Sequence, residues 1–183
     1  YFLNENIFEI EKILKYFVKS ISVILDIDEF LPVEISIKKN NYENVINLSG
    51  LKHILNEVND YCKKTIGEKR IVHMIIGNYK VDNQDFNSLP LNIDCKSFSL
   101  DVKFLCISND IVKNIEIILK KYQISLNKIL SAEYIGEFLN EKNTDLFAMA
   151  KKIVEGHNPN EVLMIDKTNE NKGFFEKFFN FFN

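Results

Sequence analysis

The sequence has few cysteines, no glycine-rich phosphate loop, no long apolar run and no surplus of basic residues. Its three cysteines, Cys62, Cys95 and Cys106, are widely spaced and include no CxxC pair, which argues against a disulfide framework or a zinc knuckle and fits a reducing compartment. No secretory signal and no run of about 18 apolar residues appears, so the chain is not expected to span a membrane, although it can lie on one. With a net charge of −3 and a pI of about 5.7 there is no field to gather nucleic acid, and no local basic patch replaces it. Neither GxGxxG nor GxxxxGK(S/T) occurs, and there is no internal repeat.

What is present is core material. A hydrophobic content of 46% beside 27% charged residues in 183 residues is enough to offset the entropy of ordering, with room for one ordinary domain and a tail. Apolar residues at three- and four-residue steps predict a long helix over residues 4–25, through Ile7, Ile10, Leu14, Phe17, Ile21 and Ile24. After Pro32 the alternation Val33-Glu34-Ile35-Ser36-Ile37 predicts a half-buried strand, and the polar stretch 38–47 a loop. Leu51, Ile54, Leu55, Val58 and Cys62 predict a second helix over 50–64, closed by Gly67.

The apolar run 71–76 and the stretch 100–107 read as inner strands, separated by an irregular segment 78–99. Ser108-Asn109-Asp110 is a capping cluster ahead of a third helix, 126–139 has helical spacing, and 145–154 makes a short last helix before the breaker Gly156-His157-Asn158-Pro159. The expected class is α+β: a small strand-helix-strand-strand sheet packed against helices, with a C-terminal amphipathic helix. The expected division is a folded unit at 1–140, a short helix at 141–157, a polar linker at 158–172 and a Phe-rich tail at 173–183.

In that tail Phe174, Phe175, Phe178, Phe179, Phe181 and Phe182 fall, at helical pitch, within roughly 160° of arc, with Glu176, Lys177 and Asn180 on the opposite side. A helix this short is ordered only by burial against its own domain, a partner or a bilayer interface. Placed after a polar linker, it reads as a membrane anchor. Lys172 and Lys177 are the only nearby bases, so apolar burial would dominate over lipid charge. The alternative is that the Phe face docks on the core of its own domain.

The stretch Ile71-Val72-His73-Met74-Ile75, followed by Tyr79-Lys80-Val81-Asp82-Asn83-Gln84, resembles the corresponding strand and turn of the FtsA-type actin-family bacterial division proteins. Leu89-Pro90 falls where that family has an Asn-Pro-Ile-Gly segment, Leu100 to Phe104 where it has the next strand, Asn114 and Ile115 open its following helix, Ile124 stands at its next turn, and Ile129 to Ala132 resemble the return to the actin core. The collinear order spans residues 5–139. The resemblance implies a compact inserted subdomain used for self-association and for contacts with other division proteins. It also implies an amphipathic C-terminal membrane helix at the cytoplasmic face of the inner membrane at the division site.

The departures are specific. Where the family continues into its Gly-rich phosphate loop this chain has Asn140-Glu141-Lys142-Asn143-Thr144-Asp145, so no nucleotide cofactor is expected. No counterpart of the lobe that docks the tubulin-like FtsZ is expected in these residues, so the resemblance does not carry that partnership over. The family's turn glycines are replaced by Leu89-Pro90-Leu91-Asn92.

Among single residues, His53, His73 and His157 have no carboxylate or cysteine at metal-ligand spacing, and no metal is expected. His73 reads as a strand residue satisfied by a neighbour rather than a catalyst. Asp82 and Asp85 read as turn carboxylates that cap or bend the backbone. Cys62 and Cys106 read as small core residues, and Cys95 as an exposed loop cysteine. No nucleophile, base and orienting group come together, so the chain is not expected to be an enzyme. The expected role is a division scaffold or membrane tether whose partners are other division proteins, copies of itself and lipid. A remnant actin-family ATPase subunit and an unrelated α+β interaction domain are the alternatives.

Overall fold

The computed structural model describes residues 2–40, 45–137 and 145–163. The Phe-rich tail with Lys172 and Lys177 lies outside them, as does the linker from residue 164 onward. The elements in chain order are α1 (Phe2–Leu14), β1 (Ser20–Leu25), β2 (Leu31–Asn40), α2 (Leu48–Ile66), β3 (Lys69–Val81), β4 (Gln84–Phe86), β5 (Ser97–Ser108), α3 (Asn109–Lys120), β6 (Ser125–Ser131), α4 (Ala132–Glu137) and α5 (Leu146–Val154). The class is α+β, with a four-stranded antiparallel sheet in the order β2-β5-β3-β4 packed against helices. A separate pair, β1 and β6, runs parallel.

Helix α2 starts where the Asn47 side chain accepts the Gly50 N–H at 2.8 Å and ends at Gly67, whose φ of +59° and ψ of −127° suit a residue without Cβ. Leu51, Ile54, Leu55, Val58, Cys62 and Ile66 repeat with helical period and are buried against Met74, Ile76, Phe98, Leu100, Val102 and Phe104 of the sheet. Each fully buried aliphatic side chain contributes about 1.5–3 kcal/mol, so this interface is the main source of stability. Asn59 is buried on the same helix, and its Oδ1 has no hydrogen-bond partner among the described residues. Asn59→Leu is therefore expected to raise stability by about 1 kcal/mol, because it removes an unpaired buried acceptor and improves helix propensity. Urea unfolding of the two forms measures it; an unchanged or lower midpoint contradicts it.

Several expected elements differ. The first helix stops at Leu14 instead of continuing to residue 25: Lys15 takes a φ of +61°, and Glu11 turns to accept the Val18 N–H at 2.9 Å. Ser20–Leu25 is a strand, since Ile21, Val23 and Ile24 are β-branched and find a partner in β6. The stretch 126–139, expected to be helical, is β6 followed by the short α4 before residue 138, where the described residues stop; Ile129, Leu130 and Ser131 are all buried, which no single helix face would give.

The loop expected at 38–47 is strand up to Asn40. The segment expected to be irregular at 78–99 carries the end of β3, a tight turn at Asp82 and Asn83 with φ of 46° and 70°, and β4. The segment 158–163, read as the start of a linker, lies against β3: Ile76 N–H donates to Asn160 O at 2.7 Å and Val162 N–H to Met74 O at 2.8 Å.

Candidate functional site

Where the two sheets meet, the chain buries a polar cluster. A register shift between Ile71 and His73 makes β3 bulge at Val72, so Val72 and His73 both point away from α2 while Ile71 and Met74 face it. His73 is 1% exposed. Its Nδ1 lies 2.8 Å from Glu161 Oε1, and its Nε2 accepts the Ser131 N–H from the end of β6 at 3.1 Å. An imidazole that accepts at Nε2 is neutral and carries its proton on Nδ1, which it donates to the carboxylate.

Glu161 gathers the rest. Its Oε1 also takes the Lys128 ammonium at 3.2 Å, and its Oε2 accepts the Tyr134 hydroxyl at 3.1 Å. That hydroxyl in turn accepts from Asn158 Nδ2 at 2.6 Å, and the Tyr134 ring lies 4.3 Å from the His73 ring. Burial pushes the Glu161 carboxyl up, but the His73 hydrogen bond and the Lys128 charge outweigh it and hold it below its ordinary value. Burial lowers His73 and Lys128, with Glu161 opposing in both cases, and burial raises Tyr134. With both imidazole nitrogens engaged and ring and carboxylate shielded from solvent, the arrangement fastens β3, β6, α4 and the 158–163 segment together.

The other residues read from the sequence stand apart from this cluster. His53 is exposed on α2 beside Glu57 at 3.2 Å, and His157 follows α5 with Nδ1 3.1 Å from Lys152 O. Asp82, in its turn, accepts the backbone Lys96 and Ser97 N–H groups at 3.0 and 2.8 Å, whereas Asp85 lies in β4 and meets side chains instead, accepting from Asn78 Nδ2 and pairing with Lys80. Cys62 and Cys106 are core residues, and burial raises the Cys106 thiol to about 12. Cys95, expected to be exposed, is buried: the loop carrying it folds over the end of the core beside Ile46, Leu89 and Leu91. Among the described residues no group of three or more His, Cys, Asp or Glu side chains is placed to hold a metal, and no helix is long and apolar enough to cross a membrane.

Glu161, Lys128, Tyr134 and Asn158 were not singled out by the sequence. The available signals were a polar His73 inside an apolar strand and the apolar run Val162 to Ile165 directly after Glu161.

Among the described residues, two open surfaces bear on association. Strand β2 is one edge of the four-stranded sheet, β4 the other. On the outer side of α1 and the turn after it, Phe8, Tyr16 and Phe17 are exposed and, with Glu11, Lys12 and Lys15, line a shallow groove. In comparisons with known proteins, no protein-family model and no curated protein matches the chain.

Proposed function

We propose that this chain acts by association rather than catalysis, as a division scaffold or membrane tether at the cytoplasmic face of the inner membrane. In this reading the folded unit docks other proteins or its own copies, and the tail carrying Phe174 to Phe182 binds lipid. The observation that carries the proposal is the way the four-stranded sheet is threaded. Strands β2 to β5 and helix α2 form one compact unit inserted between β1 and β6, which pair with each other in parallel. An inserted strand-helix-strand-strand unit is what the resemblance to the FtsA-type subdomain implies, and the end of β6 falls at Ile129 to Ala132, where that resemblance returns to the actin core. The open β2 edge and the aromatic patch beside α1 give the unit physical means of docking.

Liposome co-sedimentation of the chain with and without residues 173–183, at low and high salt, tests the tether. Binding that is nearly independent of salt and disappears on truncation is expected, because apolar burial rather than lipid charge would hold the tail. Equal behaviour of the two forms would remove the membrane role. A fluorescent fusion that gathers at septa of dividing cells supports the division role, and an even distribution along the envelope counts against it.

A further inference from the structure

We propose that two copies of this chain join through β2, with the strands antiparallel about a two-fold axis at Ser36, so that one four-stranded sheet continues into the other. The inference deepens the association reading above and rests on it for the sheet as the docking element. Natural sheet edges are shortened, bulged or given inward-pointing charge to prevent such pairing. Strand β2 carries Pro32 near its start and an inward-pointing Lys39 on Glu57 of α2 near its end, but it is 10 residues long, pairs with β5 from Leu31 to Asn40 without a register shift, and has neither device between Val33 and Ile37. Its other side has no strand neighbour among the described residues.

The two faces of β2 select both the partner and the register. On the inner face Val33, Ile35 and Ile37 lie opposite Phe104, Val102 and Leu100 of β5. The β5 residues are 0%, 1% and 0% exposed, while their β2 partners are only partly buried, so the core's apolar surface runs out to water at this edge. On the outer face Glu34, Ser36 and Lys38 are exposed, and neither Glu34 nor Lys38 makes an ion pair among the described residues.

Centring the axis on Ser36 sets Ile35 against Ile37 of the second copy twice and Glu34 against Lys38 twice. Glu34 already lies opposite Lys103 of β5, so its charge would sit between two cations. Moving the centre to Ile35 sets Glu34 against Ser36, and moving it to Ile37 sets Glu34 against Asn40. A centre at Glu34 or Lys38 opposes like charges. The Ser36 centre also sets Val33 against Lys39, whose ammonium is held by Glu57 of α2 at 2.6 Å, but of these centres it alone pairs the opposite charges Glu34 and Lys38, and such cross-strand pairs stabilise antiparallel ladders.

The test uses the full chain in sedimentation velocity over a dilution series. A reversible dimer is expected. Glu34→Lys or Lys38→Glu alone should weaken it by about tenfold or more in Kd, and the double exchange should restore it; both positions are exposed, so the fold is not at stake. Independently, Ser36→Cys should give a disulfide-linked dimer on mild oxidation, because residues opposite one another in an antiparallel pair lie about 4.5–5.5 Å apart at Cα, within disulfide reach. Asn40→Cys, distant from its own symmetry mate in this register, should not, and Cys62, Cys95 and Cys106 are buried and give little background.

A monomer throughout the series, or a dimer indifferent to the single exchanges and cross-linked equally at both positions, overturns the proposal. The liposome experiment reads the other proposal separately. A monomer that still sediments with lipid through its tail refutes the β2 dimer alone, and a dimer that ignores lipid refutes the tether alone.

Discussion

Replacing Glu161 by alanine is expected to lower folding stability by about 3–5 kcal/mol, the usual cost of removing one partner from a buried charged cluster. Glu161 is 3% exposed and receives the His73 Nδ1–H, the Lys128 ammonium and the Tyr134 hydroxyl. Without it, three donors are left in a low-dielectric interior, and the strap at 158–163 loses its side-chain hold on β3. Against a total stability of about 5–15 kcal/mol, such a loss is severe. Glu161→Gln keeps an acceptor for His73 and gives up the charge, so its cost should be smaller, about 1–3 kcal/mol. Urea unfolding of the three forms measures both. A cost below about 1 kcal/mol for the alanine variant would mean that water replaces the carboxylate easily and that the strap is held by its backbone bonds alone.

Acidification is expected to weaken the fold well before the carboxylates titrate. Burial holds His73 below its ordinary value of 6.5, with Glu161 opposing. The unfolded chain therefore takes up a proton near pH 6.5 that the folded chain refuses, and stability falls as pH drops from there toward the folded value. The slope approaches about 1.4 kcal/mol per pH unit for one such proton. A charged His73 would also turn its Nε2–H toward the Ser131 N–H, setting donor against donor. Glu161, held below its ordinary 4.5, adds a second loss as pH falls below that value through its folded one. His73→Gln should be less stable at neutral pH yet flatten the profile between about pH 7 and pH 5. The profile comes from urea midpoints at each pH, and an unchanged slope in the Gln variant would rule His73 out as the source.

The sequence made some elements plain and concealed others for definable reasons. Helix α2 could be read from Leu51, Ile54, Leu55 and Val58, helix α3 from its cap at Ser108, and β2 from its strict alternation, because each signal is local. Strands β1 and β6 carry apolar residues at helical spacing. Ile21, Ile24 and Leu25, and likewise Ile129 and Leu130, fit a helical step as well as a strand, and only their mutual pairing decides between the two. His73 was legible as a satisfied strand residue, but its partner Glu161 lies 88 residues away, beyond a Gly-Pro breaker that suggested a linker. Loop composition implies exposure for Cys95, whereas this loop packs against the core and buries it.

The parallel pairing of β1 with β6 bears on the order in which the chain assembles. Ser22 and Asn127, bonded across that pair, stand 105 residues apart, so β1 leaves the ribosome long before its neighbour exists. Closing so long a loop carries an entropic cost that grows with its length, and nothing repays it until both ends are in place. Helix α2 and strands β3 and β5 draw on nearer contacts and can form first, which brings β1 and β6 close together. The intervening sheet can thus act as a clasp: once it has folded, β1 and β6 are held where they can pair.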